Sequence, residues 1–439
     1  MIRIIAAFPL LALAACANNA RYRPAPCAFE LPRNARVECG WLRVPENRAK
    51  PVRRTLELHI ARYRSTSPRP RPDPIVWLVG GPGGKGHALS AALFDKIVRP
   101  YLDERDFIVL DPRGVGYSRP AFSCGEPTRA CLDRLRREGF QLESYNSIEF
   151  AADLEDLRLA LGIKQWNVLG ESYGTHLALV AMRLYPTGIR SVILDSALPP
   201  GFDNRAIGEQ SYRQSLALLF ANCKADPACA KRYPDLPHAL DEARASLAKR
   251  PVRLAGLRHH TAYDIPLHAK SIDMLLFVAF METDLIGLMP AAITGLAQGE
   301  AREGWHRAAS THAVIRQHLV NDALNAVWSC NDSATLPGYR AKCEELGLVQ
   351  QLSWPRDPSP IPTLLLSGEY DASTPPEAAR SALPGLPNGK LVVLKGYGHM
   401  VTASGDCSVR LIKRFLANPG GRVTDRCVDT LQTRWVLEP

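Results

Sequence analysis

The sequence has no internal repeat and no long low-complexity tract, which sets aside repeat architectures and disordered arrays. Its excess of positive charge, +10 over 439 residues, is scattered in pairs such as Arg53-Arg54 and Arg136-Arg137. Without a dense basic block these read as solvated faces, and no nucleic-acid partner is expected. Cys-x-x-Cys and histidine pairs at ligand spacing are missing, so no metal centre is expected. The glycine run Gly80-Gly81-Pro82-Gly83-Gly84 lacks the Gly-Lys-Ser/Thr ending of a phosphate loop, and nothing else calls for a cofactor. Hydrophobic residues at 46% and charged residues at 22% exclude both disorder and a multi-span membrane protein. What remains is a chain able to bury a large core, either one domain with an insertion or two domains.

The first residues carry an export signal. Met1-Ile2-Arg3 is a short positive region, and residues 4–13 form an apolar run too short for a stable bilayer anchor. The run ends in Leu13-Ala14-Ala15-Cys16, which resembles the lipobox of bacterial lipoproteins. That resemblance implies removal of residues 1–15 and acylation of Cys16; ordinary secretory cleavage is the alternative. Ala17 is not the Asp that resembles an inner-membrane retention signal. A lipid-anchored location at the outer membrane, facing the periplasm, follows as the expectation. Of eleven cysteines, the ten after Cys16 fall as five close neighbours: Cys27/Cys39, Cys124/Cys131, Cys223/Cys229, Cys330/Cys343 and Cys407/Cys427. An even count in an exported chain reads as disulfides, and neighbour-to-neighbour pairing is the expectation, although sequence alone does not fix connectivity.

Short all-apolar runs closed by glycine or aspartate mark buried strands of a parallel sheet: residues 75–79, 107–110, 166–169 and 192–194. Residues 54–62 alternate as a half-buried strand. Between them, Phe150, Leu154, Leu157 and Leu161 share one helical face, with Asn146 and Glu149 resembling a capping box and Gly162 as the stop. Alternating strands and helices predict a doubly wound α/β fold. From residue 199 to 336 the pattern turns helix-rich with few strand signals, and alternation resumes at 362–367 and 391–394. The expected organisation is a core in two parts, residues 16–198 and 337–439, with a helical cap at 199–336.

The chemistry centres on Gly170-Glu171-Ser172-Tyr173-Gly174, a Gly-x-Ser-x-Gly turn between a strand and a helix. Such a turn exposes a serine hydroxyl at the top of a sheet beside a helix N-terminus. An oxyanion hole needs two backbone N–H groups; Tyr173, and Gly81 in the upstream glycine loop, are the expected donors. A serine needs a base held by an acid. In the α/β-hydrolase order the acid and then the histidine follow the serine, which selects Asp371 and His399, with Asp195 as the rival acid. His176, four residues past the serine, reads as a packed helix residue. Glu171 reads either as a buried carboxylate paired with a cation such as Arg113 or as a group recognising a terminal charge.

Five stretches together resemble the proline iminopeptidase and tripeptidyl aminopeptidase family of α/β-hydrolases. They are residues 77–84, Asp111-Pro112-Arg113-Gly114-Val115-Gly116-Tyr117-Ser118, residues 170–175, residues 368–375, and Gly398-His399-Met400. The cysteine-bracketed tail 407–427 is similar to the C-terminal segment of exported tripeptidyl-aminopeptidase-like members. The resemblance implies an α/β-hydrolase fold with an inserted helical cap, Ser172, Asp371 and His399 as a triad, and removal of residues from peptide N-termini. Proline iminopeptidases usually carry His-Gly-Gly-Pro and a tryptophan after the nucleophile; here Val79 and Tyr173 stand there, so strict proline specificity is not implied. Residues 77–83 and 170–173 also resemble serine carboxypeptidases. The same motifs admit an esterase acting through this triad, or a non-catalytic envelope protein that uses the fold for binding. A free-amine requirement would place an acid in the cap, with Glu209, Asp273, Glu282 and Asp284 as candidates.

Overall fold

The computed structural model describes residues 21–50, 54–125, 128–258, 261–316, 321–348, 352 and 357–437. Cys16 and the leader 1–15 lie outside the described residues.

Strands 75–78 and 107–110 are buried along their whole length, as their unbroken apolar sequences require of central strands. They belong to a nine-stranded sheet, and two further strands, β8 (Val252–Arg258) and β9 (Thr261–Leu267), lie outside it. The sheet strands are β1 (Tyr22–Ala25), β2 (Val37–Pro45), β3 (Thr55–Tyr63), β4 (Ile75–Leu78), β5 (Phe107–Leu110), β6 (Trp166–Glu171), β7 (Ile189–Asp195), β10 (Thr363–Gly368) and β11 (Gly389–Leu394). The spatial order is β1-β2-β3-β5-β4-β6-β7-β10-β11. From β5 to β11 all neighbours are parallel; β1, β2 and β3 form an antiparallel wing. Successive side chains leave opposite faces, so each central strand feeds two cores. Val76, Leu78, Ile108, Val168 and Val192 pack on one face, and Ile75, Trp77, Val109, Leu169 and Ile193 on the other.

The chain steps from β4 to β5 on one side and then to β6 on the other. That reversal leaves a crevice at the carboxyl ends of β4 and β6, the place where doubly wound sheets bind ligands. Helix α1 (Ser147–Ala160) starts at Asn146, whose side chain accepts the Glu149 N–H at 2.9 Å. Only half of the expected capping box forms, because the Glu149 carboxylate turns to Arg48 at 2.6 Å. Helix α2 (Tyr173–Leu184) follows β6.

The segment between β7 and β10 is mostly helical, including α3 (Ile272–Met281), α4 (Asp322–Ser333) and α5 (Pro337–Leu346). It also holds the antiparallel hairpin of β8 and β9. Leu254, Leu267, Leu276, Phe280 and Trp305 form its own core, joined by Tyr370 and Ala372 from the loop after β10. Leu324, Val327 and Trp328 of α4 instead pack with the sheet core. Helix α6 (Asp406–Ala417) closes the far face. The five neighbouring cysteine pairs are all disulfide-bonded. No described helix is long and apolar enough to cross a membrane.

Candidate active site

Ser172 occupies the single residue between β6 and α2 at φ 53° and ψ −122°, a conformation an L-residue adopts only under constraint. The constraint is visible on both sides. Its N–H donates to the Asp195 carbonyl at 2.9 Å, which ties the turn to β7. A Cβ on Gly174 would overlap the Leu78 carbonyl, and one on Gly80 would sit 2.7 Å from the Ser172 Cβ. Glycine at these positions is what lets the β4 loop and the start of α2 close around the serine.

The Gly80–Gly84 turn is closed by a Gly84 N–H bond to the Gly80 carbonyl at 3.1 Å, with Gly81 at φ 128°. Tyr173 is the first residue of α2, where backbone N–H groups have no partner within the helix. Among the described residues neither the Gly81 nor the Tyr173 N–H is committed to a hydrogen bond. The serine is thus flanked by two uncommitted donors, on the two loops expected to carry them.

Asp371 and His399 come from the loops after β10 and β11 and meet at 2.8 Å, Oδ2 to Nδ1. Asp371 is 1% exposed and His399 4%. The other carboxylate oxygen accepts the Ser373 and Thr374 N–H groups at 2.9 and 2.8 Å, and the Thr374 hydroxyl donates to Oδ2 at 2.9 Å. Burial pushes the Asp371 carboxyl up, but His399 and these donors outweigh it and hold it below the usual carboxylate range. Burial likewise disfavours the imidazolium of His399, yet Asp371, with smaller help from Asp195 and Glu171, raises it to about 9. No hydrogen bond among the described residues joins Ser172 Oγ to the His399 ring, a looseness common before substrate is bound.

Asp195 does not take the acid's place. Its carboxylate accepts the N–H groups of Val401 and Thr402 at 3.0 and 2.8 Å and the Thr402 hydroxyl at 2.6 Å, while Ser196 Oγ accepts the Met400 N–H at 3.0 Å. These bonds fasten the loop carrying His399 to the end of β7, the same strand end that holds the Ser172 N–H. Gly398 is braced from the insertion, donating its N–H to Thr283 Oγ1 at 3.1 Å.

The expected Glu171–Arg113 pair does not form. Arg113 is fully buried and bound bidentate by Asp153, with 2.8 Å from both Nε and Nη2, and by the carbonyls of Glu46 and Ser144. Glu171 lies in register with Asp195, 3% exposed, and its Oε2 is buried without a hydrogen-bond partner. Burial first, and then Asp195, push its pKa up to about 8. His176 packs as expected, stacked on Tyr173 with ring centroids 5.2 Å apart. Of the four acids in the insertion, Glu209 pairs with Arg213, and Asp273 with Arg244 and Tyr212. The Glu282 carboxyl is pushed up by desolvation, with Lys96 opposing and Asp284 adding to the rise. Among the described residues no cluster of three or more potential metal ligands occurs. Asp332, which receives the Tyr173 hydroxyl, escaped sequence reasoning because nothing local marks it.

A doubly wound sheet with a serine on a left-handed strand-to-helix turn, and a buried Asp–His pair on two later loops, is the arrangement of the α/β-hydrolases. Comparison with known proteins agrees. Residues 73–232 match the family described as alpha/beta hydrolase fold, and residues 335–427 match that described as TAP-like protein. The chain thus has the α/β-hydrolase fold, with a C-terminal part similar to the TAP-like family. The tripeptidyl aminopeptidase of Streptomyces lividans is 32% identical over 196 residues, covering 38% of this chain and 36% of that protein. The serine protease Hip1 of Mycobacterium tuberculosis is 31% identical over 241 residues, 47% of this chain and 44% of that one. The alignments therefore span less than half the length of these two relatives. A proline iminopeptidase of Neisseria meningitidis is 27% identical over 339 residues, 77% of this chain and 86% of that protein.

Proposed function

We propose that the protein is a serine exopeptidase that releases residues from peptide N-termini through an acyl-enzyme on Ser172. The observation that carries this reading is the buried Asp371–His399 pair fastened to the strand end that also holds the Ser172 turn. In this mechanism neutral His399 takes the Ser172 proton as Oγ bonds to the scissile carbonyl carbon. The oxyanion develops toward the Gly81 and Tyr173 N–H groups. His399 then returns the proton to the leaving amine as the C–N bond breaks. Water repeats the sequence on the acyl-enzyme and frees the carboxylate and the serine. Asp371 orients the ring and stabilises the imidazolium.

The choice of the N-terminal end is supported by the names of the relatives. Paired chromogenic peptides, free and N-acetylated, test it: the free peptide is cleaved and the acetylated one is not. Equal turnover of both sinks the aminopeptidase reading. Glu171 beside the nucleophile, whose Oε2 is buried without a hydrogen-bond partner, favours a second reading, capture of a substrate carboxylate as in a carboxypeptidase. Mass spectrometry of digested peptides shows which end shortens and separates the two. Export with a lipid anchor on Cys16 belongs to the same proposal, supported by the leader pattern and by disulfides that suit an oxidising compartment. The mass of the mature N-terminus tests it.

A further inference from the structure

An oxyanion hole works only if its two donors are held at the right separation, within a fraction of an ångström. Here the donors lie on separate loops after the neighbouring strands β4 and β6, whose pairing ends at Leu78 and Gly170, before either donor is reached. Helix α4 reaches both. Asn325 Nδ2 donates to the Pro82 carbonyl at 3.2 Å, inside the turn that presents Gly81. One turn later the Trp328 ring meets the Tyr173 ring edge-on, centroids 6.2 Å apart. After one further turn, Asp332 Oδ2 accepts the Tyr173 hydroxyl. Positions 325, 328 and 332 fall at i, i+3 and i+7, one face of a helix, so a single rigid surface touches both donor loops.

That surface is itself anchored. Asp332 Oδ1 receives the Ser147 N–H and hydroxyl at 3.1 and 2.9 Å, at the start of α1. Asn331 Nδ2 donates to the Leu142 and Tyr145 carbonyls at 2.8 and 3.0 Å. Leu324 fills the space over Gly83, where a Cβ would come within 3.3 Å of its Cδ2, and the Cys330–Cys343 disulfide fixes α4 to α5.

We propose that α4 is the strut that sets the spacing of the oxyanion hole, with Asn325 and Asp332 as positioning residues that hold the Gly81 turn and Tyr173. The inference rests on the acyl-enzyme reading above. It makes a helix from the segment between β7 and β10 part of the reaction's electrostatic frame.

Tyr173→Phe keeps the ring and the backbone N–H while removing the bond to Asp332, and is the deciding variant. Asn325→Ala and Asp332→Ala complete the set, each compared with wild type by thermal unfolding. The readouts are kcat and KM on a chromogenic peptide, the affinity of a peptide boronate that forms a tetrahedral adduct with Ser172, and inhibition by the released peptide product. The expected result is a fall in kcat of about 10- to 100-fold, below the 100- to 1,000-fold loss of a whole donor. The boronate should weaken by a similar factor, with KM and product affinity unchanged. Tyr173→Phe combined with Asp332→Ala should be no worse than the more damaging single change, because both remove one link. Unchanged kcat and boronate affinity in Tyr173→Phe overturns the proposal, as does equal weakening of boronate and product. If Asp332→Ala does not fold, Tyr173→Phe and Asn325→Ala still decide. Ser172→Ala with full activity would instead overturn the acyl-enzyme reading itself.

Discussion

Asp371→Asn separates the two candidate acids. The Oδ1 side of Asp371 accepts two backbone N–H groups, from Ser373 and Thr374, so an asparagine must keep its carbonyl oxygen there. Its NH2 group then faces His399 Nδ1 and the Thr374 hydroxyl, donor against donor, and forces the wrong tautomer of the ring. The charge lost with it is the largest influence favouring the imidazolium, which the site raises from 6.5 to about 9. At 1.36 kcal/mol per pH unit that difference is about 3.4 kcal/mol, or about 300-fold in the rate of a step that forms imidazolium. With the tautomer effect the loss reaches about 10⁴-fold. The sign for pH follows directly. The base acts when neutral, so wild-type kcat/KM rises with pH and reaches half its plateau nearer 9 than 6.5. Without Asp371 the imidazolium is less favoured, and this acid limb moves down toward 6.5. The assay is kcat/KM for a chromogenic peptide from pH 5 to 10, with Asp195→Asn beside it. Asp195 accepts two N–H groups of the His399 loop, so its asparagine variant lowers Tm and slackens that loop, while the acid limb moves down less than in Asp371→Asn because Asp195 is the smaller influence on His399. A loss below about tenfold for Asp371→Asn, or an unmoved acid limb, refutes the assignment.

Gly80→Ala places a methyl 2.7 Å from the Ser172 Cβ and 2.9 Å from the Glu171 carbonyl, neither of which can yield. We expect at least about 100-fold less activity with a small change in Tm, read from fluorophosphonate labelling of Ser172 and a thermal melt. Replacing Cys330 and Cys343 by serine opens a short loop whose closure contributes about 3 kcal/mol. Urea unfolding at pH 7 measures the drop, and an unchanged midpoint would count against a structural role. Arg113→Met leaves the fully buried Asp153 with Arg48 as its remaining cation and costs about 3–5 kcal/mol. The same urea titration checks it.

The central fold was legible because buried parallel strands must be apolar on both faces; 75–78, 107–110 and 192–194 announce themselves without context. The site's order along the chain was legible because turn chemistry is local: glycines at 80, 170 and 174 answer clashes within a few residues of themselves. The wing β1–β2 was not, since a partly exposed antiparallel edge carries polar residues such as Arg23, Glu38 and Arg43 that hide its periodicity. The hairpin β8–β9 escaped for a similar reason, with Arg253, Asp264 and Pro266 interrupting its apolar positions. Long-range polar partners were the least legible. Arg113 chose Asp153, forty residues on, and left Glu171 alone; Tyr173 bonds Asp332, 159 residues away. No local pattern predicts which of several carboxylates the fold will bring to a given cation or phenol.

The clasp between Asp195 and residues 401–402 has a temporal consequence. Translation delivers the nucleophile turn more than two hundred residues before the histidine loop, and that loop is anchored only when β10 and β11 have added to the edge of β7. A nascent chain therefore holds a serine with no base until the histidine loop has been made and anchored. A chain cut between Ser172 and His399 keeps the nucleophile turn and loses the base that would serve it.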